Sequence, residues 1–257
     1  MFKSTKLKTM LMLLAVIFFA SSCTKEKEKS VENDIKANAM TFSQQHDHYV
    51  KEMLDYQAKA FPQKNDLTMS DVLDVVEHVI GVRPVILEDT TQIDNASKVV
   101  NLDVDTINLA NYSSSNRIES YLTSVDQILQ NLNENDSLTQ IYQLLDGIEN
   151  SIMTDNHAFQ AEKETVVNAV EVLKGSLALW RDYDFASEGN AKVKPWNWPR
   201  WKKWVFVATA DAIGAALGYF CGGVIVVNGI PVYVPAGVGA AAMSAALSYM
   251  ASVLVQL

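Results

Sequence analysis

Apolar residues return every three or four positions along three stretches of this chain. They are Ile118, Leu122, Val125, Leu129 and Leu132; then Leu138, Ile141, Leu145, Ile148 and Ile152; then Phe159, Val166, Val170, Leu173, Leu177 and Trp180. Each set lines one side of a helix. Polar clusters stand before them at Ser113 to Asn116, Asp136-Ser137 and Asp155-Asn156, which is N-cap chemistry. The short connections favour antiparallel neighbours, hence a bundle. Upstream, residues 32 to 60 also read as helix, and so do Ser70 to Ile80, with Ser70 as the cap and Gly81 followed by Pro84 as the stop. Val100, Leu102 and Val104 alternate with polar residues, the pattern of a short strand or an extended connector.

The pattern changes after Trp204. From there to Leu257 the chain carries one formal charge, Asp211. Two apolar runs, VFVATADAIGAALGYFCGGVIVV and AGVGAAAMSAALSYMASVLVQL, flank the segment NGIPVYVP. As helices rising 1.5 Å per residue, both are long enough to cross about 30 Å. Val224 to Val227, Asn228-Gly229 and Ile230 to Val234 form a hairpin signal, because Asn-Gly accepts the positive φ angles of a type I′ turn. Pro231 then belongs on a sheet edge. The predicted fold is mainly α: a helical bundle followed by an apolar helix, a short β-hairpin or tight loop, and a second helix.

Small residues in this last quarter follow a spacing. Ala210, Gly214, Gly218 and Gly222 recur every four positions; Ala236, Ala240, Ser244, Ser248 and Ser252 form a second strip, beside Gly237, Ala241 and Ala245. Such strips let two helix backbones approach closely. The segment 204 to 257 resembles a glycine-zipper hairpin of the kind found in helical-hairpin toxins and bacteriocin-like proteins. That resemblance implies membrane association or self-association. The same spacing also suits a tightly packed helix pair inside a water-soluble fold.

Directly before the hairpin stands KPWNWPRWKKW, residues 194 to 204. Trp196, Trp198, Trp201 and Trp204 alternate there with Lys194, Arg200, Lys202 and Lys203. Amphipathic rings at headgroup depth, with cations whose stems lie along apolar surface, describe a membrane-interface collar. Closure of a core by cation–π pairs, or a stacking platform for sugars, would use the same residues.

At 257 residues and 49% apolar content the chain has enough material for a real core. Its start, MFKSTKLKTMLMLLAVIFFASSC, places Lys3, Lys6 and Lys8 ahead of the apolar run Met10 to Phe19 and then small residues, which is a secretory signal. Ala20-Ser21-Ser22-Cys23 resembles the bacterial lipobox, with Ala20 where that family usually has a large aliphatic residue. The resemblance implies acylation of Cys23 and cleavage before it; Ala20 and Ser22 also suit ordinary signal peptidase. Thr24, rather than Asp, resembles lipoproteins sent on to an outer membrane or cell surface. The sequence CTKEKEKSVEND has no apolar face and reads as a solvated tether. The expected organisation is signal peptide 1–22, tether 23–40, acidic helical domain 41–185, basic Trp-rich linker 186–203 and apolar hairpin 204–257.

Without residues 1 to 22 the chain holds 18 basic against 30 acidic residues, a net of −12, so a phosphate backbone is repelled and nucleic acid is not a partner. Residues 192 to 257 carry five bases and one acid. A lipid-anchored chain with two spans would leave those cations outside, against the positive-inside tendency, which disfavours insertion during export. With Cys23 acylated, Cys221 is the remaining thiol, so no disulfide forms and Cys221 reads as a small buried residue.

Chemistry is sparse. His46, His48, Glu52, Glu77 and His78 have no spacing that brings four metal ligands together, and His46 and His48 read as solvated residues on an amphipathic helix. Asn101, Asp103 and Asp105 start like a calcium loop, but Thr106 and Tyr112 stand where Gly and Glu belong. No nucleophile elbow, zincin, P-loop or dinucleotide motif is present in the sequence. Asp211 is the exception, because a carboxylate inside an apolar helix must be paired, neutralised or wetted; Lys203 is the nearby cation. The sequence thus predicts an envelope lipoprotein that is not an enzyme and needs no metal or cofactor. Its partners would be membrane lipid, through Cys23 and the hairpin, or further copies of itself; the alternative is a module binding peptide or glycan, with the hairpin as its core. Mass spectrometry of the protein from a bacterial host should find the acyl groups on an N-terminal Cys23. A Cys23→Ala chain should lose both lipid and processing at that site.

Overall fold

The computed structural model describes residues 33–62, 67–86, 99–102, 108–133, 135–182, 200–217, 223–227, 230–234 and 240–256. By internal contacts the chain divides after Asn38. In the first unit the described residues 33–38 are helical. Everything below concerns the second unit, Ala39–Leu257.

Seven α-helices and four short strands are described. Helix α1 runs 33–60. On its length within the second unit, Ala39, Ser43, His46, Val50 and Met53 are buried, spaced by four and three. Helix α2 is Met69–Ile80. Thr68 caps it: its hydroxyl accepts the Asp71 N–H at 3.3 Å, and the Asp71 carboxylate accepts the Thr68 N–H at 2.8 Å. The cap therefore lies two residues before the expected Ser70, because only Thr68 has an acid three positions on to close the capping box. Gly81, at φ 74°, ends the helix by donating its N–H to the Glu77 carbonyl, as its sequence position predicted.

Helices α3 (Asn116–Gln130), α4 (Leu138–Thr154) and α5 (Gln160–Asp182) are the three periodic stretches. Ser115 and Ser137 cap the first two through the N–H groups of Ile118 and Gln140. Ile118, Leu122, Val125, Ile141, Leu145, Ile152, Val166, Val170, Leu173, Leu177 and Trp180 are at most 2% exposed. Each such aliphatic side chain contributes about 1.5–3 kcal/mol on burial. Phe159 departs from its stripe and is 74% exposed. It precedes the first residue of α5, so its backbone is outside the helical repeat that would turn it inward.

Helix α6 (Arg200–Leu217), strands β3 (Gly223–Val227) and β4 (Ile230–Val234), and helix α7 (Ala240–Gln256) are the expected helix–hairpin–helix. Two further strands join the hairpin: β1 (Val85–Ile86) antiparallel to β4, and β2 (Val99–Leu102) parallel to β3. The order is β1-β4-β3-β2. Pro231 therefore lies in an inner strand, opposite Val226. On its other side the described pairing with β1 covers Val232 and Tyr233.

Helix α6 packs extensively against both α5 and α7. From Phe206 to Ala215, and from Ala241 to Val253, every residue is buried. Gly214 sets the separation of α6 and α7. A Cβ placed on it would stand 2.4 Å from the Ser244 Cα and 2.9 Å from its Cβ, so backbone would have to move. Gly147, on the exposed side of α4, would meet nothing within 4 Å. Gly214→Ala should lower the unfolding free energy in urea by about 1–3 kcal/mol. Gly147→Ala should raise it by up to about 1 kcal/mol, because glycine is the poorer helix former.

Candidate functional site

Four helices bring polar side chains to one point inside the bundle. His46 comes from α1, Trp180 from the last turn of α5, Asp211 from the middle of α6 and Ser248 from α7. All four are 0% exposed. The imidazole Nε2 of His46 lies 3.5 Å from Asp211 Oδ1, and its Nδ1 lies 3.0 Å from Asp47 Oδ1. The indole N–H of Trp180 is shared between Asp211 Oδ2, at 3.2 Å, and the Ser248 hydroxyl, at 3.1 Å. One turn earlier on α7, Ser244 donates to the Asp211 backbone carbonyl at 2.6 Å.

Asp211 is therefore paired, but not with Lys203. That lysine is eight residues away on the same helix, about 12 Å along the axis. The counter-charge comes from α1, and His46 is a core residue rather than a solvated one. Its pattern signal was available: Ala39, Ser43, His46, Val50 and Met53 form one helical line, and a histidine on it belongs inside. Ser43 supports the placement by donating to the Glu171 carbonyl of α5 at 3.1 Å.

Burial by itself would lower the pKa of His46. The nearby charge of Asp211, joined by the hydrogen bond and charge of Asp47, outweighs it and raises the value from 6.5 to about 9. At neutral pH the node is an imidazolium between two carboxylates. His46, Trp180, Asp211 and Ser248 are fully enclosed and the Asp47 side chain is 25% exposed, so the node holds charge and fixes four helices from within the core.

The other histidines do not join it. His48 is exposed and faces Glu52 at 3.4 Å, and His78 stacks on Tyr56 with centroids 3.7 Å apart. Among the described residues no group of three or more His, Cys, Asp or Glu side chains could hold a metal ion.

Of the small-residue strips, Gly214, Ala241 and Ala245 are buried. Gly218, Gly222 and Gly237 lie outside the described residues, as do Cys23, Cys221, Asn228-Gly229, Trp196 and Trp198, and nothing is described of the Arg200 side chain. Trp204 is only 7% exposed, whereas Trp201 is half-buried with the exposed Lys202 ammonium 5.6 Å from its ring centre. The two halves of the expected collar that are described thus face different surroundings. Among the described residues no helix is long and apolar enough to cross a membrane.

A surface cleft of about 480 Å³ opens where α3 gives way to α4. Ser124, Gln127, Asn131 and Gln140 offer amides and a hydroxyl, over a floor that includes Ile128 and Ile141. Leu144, at its edge, is 55% exposed.

Compared with family models, curated proteins and solved structures, the chain finds no match.

A folded-state pKa of about 9 against 6.5 unfolded means that the His46 contribution is complete below pH 6.5 and lost as pH rises through 9. The shift corresponds to about 3 kcal/mol. Proton NMR of His46 should show a midpoint near 9. In Asp211→Asn the midpoint should fall, and the loss of stability between pH 6.5 and 9 should shrink.

Proposed function

We propose that this protein is a non-catalytic binding module of the bacterial cell envelope, exported and tethered through Cys23, with its apolar hairpin as packed core. The observation carrying this reading is the continuous burial of α6 from Phe206 to Ala215 and of α7 from Ala241 to Val253. A membrane-facing hairpin would turn its large side chains outward to lipid and only its small strip inward. Here Phe206, Ile213, Met243, Leu247 and Tyr249 are at most 2% exposed, as fully enclosed as Gly214 and Ser244. The buried Asp211 and His46 add to the cost of moving α6 into hydrocarbon, since each charge would have to be neutralised or carried along.

The cleft between α3 and α4 suits the ligand class. Amides, the Ser124 hydroxyl and the Asp136 carboxyl over an apolar floor match the alternating polar and apolar faces of a peptide or a glycan. The net charge of −12 on the chain from Cys23 onward makes a strongly anionic ligand unfavourable.

A second reading, membrane association or self-association through the hairpin, is favoured by the Gly214 to Ser244 approach, which is the contact small-residue membrane helices make. The two readings separate in one preparation. A chain of residues 24–257, with neither the signal peptide nor the acylated cysteine, should sediment as a monomer without detergent and should not float with vesicles of phosphatidylglycerol and phosphatidylethanolamine. Oligomers, or uptake into those vesicles, would replace the binding module with the hairpin reading.

A further inference from the structure

A second charged cluster, separate from the buried node, joins α4 to α5. The Lys174 ammonium lies 2.6 Å from Asp146 Oδ1, 3.0 Å from Glu149 Oε2 and 2.9 Å from Glu171 Oε1. Three carboxylates therefore surround one cation. They are not equally wet: the Asp146 side chain is 55% exposed and that of Glu171 20%, whereas that of Glu149 is 2% exposed. The second oxygen of Glu149, Oε1, is buried with no hydrogen-bond partner. A fully ionised carboxylate in that position would leave charge without solvent or donor on one side. Glu149 Oε2 and Glu171 Oε1 both lie within 3.0 Å of the same ammonium nitrogen, so the two carboxyl groups crowd one another. Like charges held that close favour the protonated form of the less solvated group.

We infer that the carboxyl cluster around Lys174 retains one proton, held on the buried Glu149, and that this proton fastens α4 to α5, so the contact loosens when it leaves. With the proton in place, Lys174 neutralises one of the two remaining carboxylates, and Asp146 projects into water. Without it, three negative charges face one positive charge, and the least solvated of the three has gained charge. The proton exchanges with solvent and no other group is consumed.

The described contacts around the cluster add polar and acidic groups. From α1, Ser43 donates to the Glu171 carbonyl, and Asp47 brings another carboxylate, about 3.5 Å from where a Gly175 Cβ would stand. Tyr142 on α4 donates to the Lys174 carbonyl at 2.8 Å. The buried acid of α3, Asp126, is engaged by the N–H groups of Leu109 and Ala110 at 2.9 Å each. Burial, then the hydrogen bond and charge of Glu171, push Glu149 from 4.5 up to about 7, against the opposing pull of Lys174. Because the folded state then holds more protons than the unfolded chain, this pair makes stability fall as pH rises from 4.5 through 7. That window lies mostly below the one set by His46.

The test uses the full-length acylated protein in detergent. Carbon-13 NMR of the Glu149 side-chain carboxyl should show a midpoint near 7. In Glu171→Gln the midpoint should move down toward the ordinary glutamate range. Urea unfolding of Glu149→Gln should lack the fall in stability from pH 4.5 to 7 and should leave the protein more resistant than wild type above neutrality. A wild-type midpoint near 4.5, or one unmoved by Glu171→Gln, would overturn the proton retained on Glu149. A falling limb that persists in Glu149→Gln would overturn its role in fastening the helices. Should Glu149→Gln fail to fold, the two titrations decide the matter without it.

Discussion

Asp211 carries the one formal charge in the last fifty-four residues, and it sits in the middle of the stretch of α6, Phe206 to Ala215, in which every residue is buried. A carboxylate there must be met by a cation and by hydrogen-bond donors, or the helix that bears it cannot stay inside. His46 supplies the cation, Trp180 a donor, and Ser248 shares that donor. Because these groups come from α1, α5 and α7, satisfying one side chain fixes four helices at once. A buried ion pair of this kind adds little net stability over an apolar replacement, but losing either partner leaves an uncompensated charge. Its contribution is to specify which helices meet, and in what register.

Close packing makes that meeting possible. Gly214 lets the backbones of α6 and α7 approach until the Ser244 hydroxyl reaches the Asp211 carbonyl. Gly175 does the same between α5 and α1, where an added Cβ would stand 2.6 Å from the Ser43 oxygen. The serines at these positions are small enough to fit and polar enough to bond backbone carbonyls. The interior therefore has two textures: Leu, Ile and Val interdigitate among α3, α4 and α5, while Gly, Ala and Ser bring α6 close to α7.

That second texture explains why the hairpin reads so readily as a membrane element. Small-residue strips report that two helices nearly touch, and they do so equally well in lipid and in a protein core. What differs is the destination of the large side chains on the other faces. Here they turn toward α5 and the remaining bundle, an arrangement compatible with a water-facing module. It requires the amphipathic helices to cover the hairpin.

The sequence by itself determined the helices, because periodicity, caps and stops are local: Ser115, Ser137 and Gly81 act within one turn of their own position. It also determined the β-hairpin between two apolar helices, and it marked Asp211 as a charge in need of an answer. It misjudged the cap of α2, where Asp71 selects Thr68 over Ser70, and it left His46 in solvent although its helical line pointed inward. Only the tertiary structure decided that His46, 165 residues earlier, meets Asp211, and that Lys174 gathers three carboxylates from two helices. The physical reason is range. Capping and amphipathicity are written in residues three or four apart, whereas charge pairing and close helix approach join positions whose separation along the chain carries no period.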